Sequence, residues 1–283
     1  MKRGGRESYP STRTAGFHRP LLEVRAAVEA GVKVHFRYIA WLISDIIATP
    51  AWLVLFVTPV LLFLPREQWS NPVTLNFFFW GYILWDFVAA GLWSFGMAIR
   101  REQQLGTLEF LMVTNANRAI LFSRSVYPRM ISLSIGILYV YAFFKALFGV
   151  DVVLRSPLGV VAVLLTGMLT ALGFGLVYGA LVFRFKNVGP LNNVLQFVFL
   201  GLCGIFYPVS NLPEPLRSIA LAVPFTYVAD LLRFYAMEYP AVLPPALEWA
   251  VLLTYTLGLI ALGVALLKAV EENLKKTGGL GAY

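Results

Sequence analysis

The chain has 283 residues, 59% of them hydrophobic and 13% charged, with 23 Lys and Arg against 15 Asp and Glu. A typical soluble domain is about 25% charged, so this composition, with its repeated long apolar runs, excludes a water-soluble globule and defines an integral membrane protein. A single cysteine, Cys203, excludes an intrachain disulfide or a cysteine-cluster metal site.

Residues 1–20 are basic and rich in Ser, Thr, Pro and Gly, with no apolar core, and are predicted to be a disordered tail rather than a signal peptide. Over residues 21–38 the period becomes helical. Leu21, Val24, Val28 and Val32 mark one face, while Arg25, Glu29, Lys33 and Arg37 form a charged stripe at i, i+4 spacing. Such a helix just before an apolar run belongs in the cytoplasmic membrane interface.

The transmembrane domain is predicted over residues 39–270, with spans at about 39–64, 77–99, 119–150, 158–183, 188–209 and 246–269. Each has the roughly 20 residues that a bilayer core demands. In the third, Arg124 and Arg129 belong at the headgroups, so the embedded part starts near Met130. Between the second and third spans lies a polar stretch, residues 100–115, too charged to enter the bilayer. Between the fifth and sixth, residues 211–237 contain apolar pieces too short to cross, interrupted by Pro213, Pro215 and Pro224. Two short helices that enter one leaflet and return fit this pattern, since broken backbone survives at membrane depth only under protein cover or beside water. Residues 271–283 form a second polar tail. The predicted fold is therefore all-α: six transmembrane helices, an N-terminal interfacial helix, and a re-entrant helical pair between helices 5 and 6.

This topology places 18 of the 23 Lys and Arg residues on one side. That is the positive-inside pattern, which makes both termini cytoplasmic and accounts for the net charge of +8 without nucleic acid as a partner.

The run Arg100-Arg101-Glu102-Gln103-Gln104-Leu105-Gly106-Thr107-Leu108-Glu109 contains an apolar edge of Leu105, Leu108 and Met112, with Glu102, Gln103 and Glu109 facing elsewhere. With Leu212-Pro213, Pro224 and Arg233 downstream, it resembles the type-2 permeases of ABC transporters over about residues 34–270. The resemblance implies the membrane subunit of an ATP-driven exporter in the inner (plasma) membrane. It implies a second permease copy, as homodimer or heterodimer, and separate cytoplasmic ATPase subunits carrying ATP and Mg. Gln103, Leu105, Gly106, Thr107, Leu108 and Glu109 would couple to the ATPase, with Arg184 and Lys186 as a second contact. Phe206 and Tyr207, at the end of the fifth helix, would form an outer gate.

Nothing in the chain itself binds a nucleotide triphosphate, because no Gly-x-x-x-x-Gly-Lys-Ser/Thr loop occurs. The two histidines, His18 and His35, and the scattered carboxylates form no catalytic or metal-binding pattern, so no cofactor is expected on this chain and no enzymatic activity. Asp86, about ten residues inside the second span, is the ionisable residue hardest to place in lipid. It either pairs, with Lys145 for example, or faces the translocation path. Trp80 and Trp93 fit interfacial belts. Dominance of apolar and aromatic residues in the spans favours an amphipathic drug, lipid or lipid-linked substrate, and Phe36-Arg37-Tyr38 followed by Asp45 and Pro50 looks closer to the drug-exporter subgroup. The alternatives are a polysaccharide or glycolipid exporter of the same superfamily, and an ion-coupled secondary transporter. The last would need a second broken segment, which the sequence lacks.

The topology predicts a labelling pattern in a Cys203→Ala background. Cysteines at Gly5, Asn115 and Gly279 should react with a membrane-impermeant maleimide only after cells are opened, whereas cysteines at Asn71 and Asn211 should react in intact cells.

Overall fold

The computed structural model describes residues 19–37, 39–107, 110–111, 120–121, 126–184 and 189–277. In chain order the helices are α1 (Arg19–Arg37), α2 (Ile39–Phe63), α3 (Pro72–Gln104), α4 (Val126–Phe148), α5 (Pro157–Arg184), α6 (Gly189–Leu202), α7 (Glu214–Ala220), α8 (Pro224–Met237) and α9 (Pro245–Thr277). Single 3-10 turns at Arg66–Gln68 and Val209–Asn211 join neighbours, and no strand occurs among the described residues. Most of the predicted disordered tail (residues 1–18) and the last six residues (278–283) lie outside the described residues.

Three helices are long and apolar enough to cross a membrane, over Pro72–Gln104, Pro157–Val182 and Pro245–Asn273. They correspond to the predicted second, fourth and sixth spans. The predicted first and third spans are α2 and α4, whose strongly apolar parts are shorter, Pro50–Phe63 and Ser132–Phe148. The predicted fifth span is cut short. Its helix, α6, ends at Leu202, because Gly204 turns the chain into the left-handed region at φ 62°. The predicted broken segment is present as α7 and α8, which meet at 95°. Pro215 and Pro224 each stand in a first helical turn, where the missing amide costs nothing.

Helix ends are fixed by identifiable groups. Asn71 caps α3 by accepting from the Val73 amide at 2.9 Å, with Pro72 as the first helical residue. Five residues on, the buried Asn76 side chain accepts from the Val153 amide at 2.7 Å and holds the α4–α5 connection against α3. In the same connection Asp151 pairs with Lys145 at 2.6 Å, and that ammonium holds the Asp151 carboxyl below its ordinary range. The carbonyls at the end of α8 are met from this connection too: Arg155 and Ser156 donate their amides to Ala236 and Tyr235, at 3.0 and 2.9 Å.

α5 is the centre of the bundle, packed against α3, α9 and α8. α4 and α6 pack on α3, and α1 and α2 lean on α4. Between α5 and α9 the buried hydroxyls of Thr170 and Thr256 lie 2.8 Å apart. A hydrogen bond of this kind between membrane helices contributes about 0.6–2 kcal/mol. Further along the same pair, the space beside Gly263 is filled by Leu176 and the backbone of Val177.

That contact gives a paired prediction. A Cβ on Gly263 would stand 2.5 Å from the Leu176 Cβ, while nothing lies within 4 Å of one on Gly258. Gly263→Val should therefore lower stability by about 1–3 kcal/mol, seen as a lower thermal unfolding midpoint in detergent. Gly258→Val, with the same branched side chain on the same helix, should leave the midpoint nearly unchanged.

Candidate functional site

The two sequence-marked regions lie at opposite ends of α3. At its C-terminal end, residues 100–104 are not a separate surface helix but the last turn of α3. The helix stops because Leu105 is the cap and Gly106 adopts φ 66°, a conformation in which glycine carries no Cβ penalty. Thr107 closes the turn. Its amide donates to the Glu102 carbonyl at 3.1 Å and its hydroxyl donates to the Glu102 carboxylate.

Leu105 and the pair Glu102 and Gln103 face different ways. Gln103 is 6% exposed, and neither its amide oxygen nor its amide nitrogen has a hydrogen-bond partner among the described residues. Glu102 is buried beside it, whereas Leu105 is 62% exposed and Phe110 is 76% exposed. α3 continues past residue 99, the predicted end of the second span, to Gln104, and an apolar residue stands exposed at its tip. Leu108, Glu109 and Lys186 lie outside the described residues. Arg184 is the last residue of α5.

At the other end, Phe206 and Tyr207 stand together in the turn that follows α6. The Phe206 ring lies on α3, 6.2 Å from the ring of Phe78, in the space left by Gly81. The Tyr207 hydroxyl donates to the Gly201 carbonyl, folding the side chain back over the end of α6. Asp86 is half-buried in the middle of α3. Lys145, its suggested partner, has Asp151 instead. Trp80 is buried with its ring edge-on to Phe79 at 5.0 Å, inside the bundle rather than in an interfacial belt. Trp93 donates its indole N–H to Gln196 at 2.9 Å, tying α3 to α6.

Beside the Phe206 turn is a buried polar cluster that sequence reasoning missed. Arg233 is 2% exposed, and its Nη2 donates to the Gly204 carbonyl and, at 2.7 Å, to the Ile205 carbonyl. Its guanidinium carbon lies 5.0 Å over the Phe77 ring, which in turn meets Tyr239 edge-on. Asp230, on the same helix, supplies the countercharge. The Asp230 carboxylate accepts from the Val242 amide at 2.6 Å, and Glu248 accepts from the next amide, Leu243, at 3.0 Å. Consecutive amides thus draw the two carboxyl groups together. Glu248 Oε2 meets no donor among the described residues. Arg233 thus lies close to a buried carboxylate on its own helix, and burial of a charge is tolerated only with such an opposite charge nearby. The available signal was Asp230 and Arg233 at i, i+3 within an otherwise apolar run. Reading Arg233 as an outer-surface topology marker concealed it.

The described residues form a helical bundle with a broken helix pair at one end and hold no cluster of metal-ligating side chains. Residues 87–236, just over half of the chain, match the ABC-2 type transporter family, and the chain belongs to that family. The match takes in both the α3 C-terminal turn and the broken pair.

Curated relatives are similar over shorter stretches. The capsule polysaccharide export inner-membrane protein CtrC of Neisseria meningitidis serogroup A is 33% identical over 63 residues, covering 22% of this chain and 24% of that protein. Its counterpart from serogroup B is 35% identical over 63 residues, again 22% of this chain and 24% of that protein. The capsule polysaccharide export inner-membrane protein BexB of Haemophilus influenzae is 29% identical over 105 residues, covering 37% of this chain and 39% of that protein. The chain thus spans well under half the length of the relatives it matches.

The polar cluster gives a prediction. Glu248→Gln keeps an acceptor for Leu243 and should cost at most about 1 kcal/mol. Asp230→Ala strands Arg233 and should cost about 3–5 kcal/mol. Thermal unfolding of the two purified variants in detergent separates the cases, and an equal loss in both would contradict Asp230 as the countercharge of Arg233.

Proposed function

We propose that this chain is the membrane permease of an ATP-driven exporter, forming half of a translocation pathway completed by a second permease copy and driven by separate cytoplasmic ATPase subunits. Family membership over residues 87–236 carries this reading. The exposed Leu105 at the tip of α3 supports the placement of the ATPase contact, because an apolar residue at the end of a polar turn is what a groove of a soluble partner can cover. Coupling is assigned to Gln103, Leu105, Gly106, Thr107, Leu108 and Glu109, with Arg184 and Lys186 as the second contact. The buried Gln103 serves as support for the tip rather than as a contact.

In this reading α2, α3, α4, α5, α6 and α9 are the six spans and α7–α8 is the re-entrant pair. The lengths of α2 and α4, 25 and 23 residues, support it, since roughly 20 residues suffice for a bilayer core. Both termini are cytoplasmic, α1 lies in the inner-membrane interface against lipid, and Phe206 and Tyr207 gate the outer end. The domain limits follow the same division: tail 1–20, interfacial helix 21–38, transmembrane domain 39–270 and tail 271–283. Asp86 is assigned to the path side of α3. ATP and Mg belong to the partner, and no cofactor, nucleic acid or hydrolytic chemistry is assigned to this chain. Among substrate classes, the similarity to capsule polysaccharide export proteins favours a polysaccharide or glycolipid over a drug-like amphipath. The apolar exposed faces of α2 and α6 keep a lipid-linked substrate as the second reading.

The experiment is reconstitution with the ATPase partner. Glu109→Ala should assemble normally, costing at most about 1 kcal/mol if the charge acts only on a helix terminus, yet should strongly reduce transport-coupled ATP turnover. Leu105→Asp should reduce co-purification of the ATPase itself. Normal coupling in Glu109→Ala together with normal assembly in Leu105→Asp would remove this end of α3 from the ATPase interface.

A further inference from the structure

We propose that Arg233 is a positioning residue for the gate residues Phe206 and Tyr207, an inference that rests on reading the end of α6 as flanking the translocation path. Backbone carbonyls in a turn outside a helix need donors from elsewhere. In the turn after α6 the carbonyls of Gly204 and Ile205, immediately ahead of Phe206 and Tyr207, are met by a single nitrogen, Arg233 Nη2. The turn has little room to adjust by itself. Gly204 holds φ 62°, and a Cβ there would stand 2.4 Å from Val209 and 2.9 Å from the Tyr207 carbonyl.

The same guanidinium joins the gate turn to two helices. It is carried by α8 and lies over Phe77 of α3, with Asp230 of α8 as its countercharge. Phe206 rests in the Gly81 space of α3 only while the turn is held at this height. A shift of α8 relative to α3 therefore moves the two carbonyls, and with them the two gate side chains. Arg233 Nε and Nη1 have no hydrogen-bond partner among the protein groups. A charge buried at that expense, with its one satisfied nitrogen aimed at the gate turn, is a poor choice for packing alone and a fitting one for positioning. Lysine could supply the charge and donate to both carbonyls from its one nitrogen, but its compact ammonium on a flexible stem lacks the planar face that lies over the Phe77 ring and so does not hold that nitrogen in place.

The test uses the full chain in a Cys203→Ala background with one reporter cysteine, labelled in intact cells by a membrane-impermeant maleimide. With the reporter at Phe206→Cys, Arg233→Lys should raise the labelling rate roughly tenfold, because local opening governs access to a half-covered site. With the reporter at the exposed Asn211→Cys, the rate should not change. An unchanged rate at position 206, or an equal rise at both positions, overturns the proposal, the second because it reports general loosening. If Arg233→Lys does not accumulate, Phe77→Leu, which removes only the ring beneath the guanidinium, must raise the rate at position 206 severalfold, and no rise overturns the proposal. Labelling requires no transport, so a failure here is distinct from a failure of the exporter reading, which would appear as absent ATPase coupling with the Arg233 result intact.

Discussion

A Cβ placed on Gly175 of α5 would stand 3.1 Å from the carbonyl of Gly91 on α3, and one placed on Gly91 would stand 3.1 Å from the carbonyl of Ala171. The two backbones touch. In lipid, apolar side chains gain little by leaving one hydrocarbon environment for another, so helix association depends on close van der Waals contact and on interhelical hydrogen bonds. Gly167, Ala171, Gly175 and Gly179 recur every four residues along α5 and so share one face. Through that face α5 takes in the Val228 side chain of α8, the backbone of α3 and the ring of Phe95. Its opposite side receives α9 at Gly173 and at Gly263. With three helices locked to one centre, the remaining elements have only the outer surfaces of α3 and α4 to lean on. That explains why α2 and α6 keep large apolar faces uncovered.

The helical class, the positions of most helices and the broken segment were legible in the sequence because they depend on local quantities: run length, proline position and charge. α8 starts at Pro224, as the prolines implied, and α1 covers the amphipathic stretch, with Arg25 and Glu29 paired at 2.9 Å along the charged stripe. Arg25 holds the Glu29 carboxyl below its ordinary range, a larger influence than that of Lys33, the partner the sequence orientation favoured. The end of the fifth span was not legible. Nothing in the apolar run Leu202-Cys203-Gly204-Ile205-Phe206 marks a stop except a glycine, and the left-handed turn there is fixed by a residue nearly thirty positions downstream. The burial of Gln103 was hidden for a related reason. Helical period alone does not say which side of a helix end its neighbours will cover.

The Arg233 cluster shows how charge enters a bundle that has almost no polar surface to spend on it. Each member meets a requirement that the backbone created. The turn after α6 leaves carbonyls without donors, and the connection before α9 leaves the amides of Val242 and Leu243 without acceptors. A broken helix pair exposes more such groups than an unbroken helix, so the break between α7 and α8 and the buried ions are two sides of one constraint. An apolar substitute for Arg233 would relieve the desolvation cost and leave the carbonyls unmet.

α3 gives these separate features a common frame. It runs unbroken for 33 residues from Pro72 to Gln104, a length of about 50 Å at the helical rise. Near its first turns, Asn76 holds the α4–α5 connection and Phe77 lies under Arg233. A turn further on is Gly81, which receives Phe206, and near the midpoint is Gly91, which receives α5. At its end are the buried Gln103 and the exposed Leu105. No proline interrupts it after its first residue, and two of its contacts, at Gly81 and Gly91, are close approaches that leave no room for a side chain. A rod of this kind cannot absorb a displacement at one end by bending near the middle. A push on Leu105 would therefore have to be answered where α3 meets other helices, at Gly91 against α5 or at Phe77 against α8. The first of these contacts is backbone on backbone and has no slack. The second is a ring beneath a guanidinium, which can slide, and it is the contact nearest the gate.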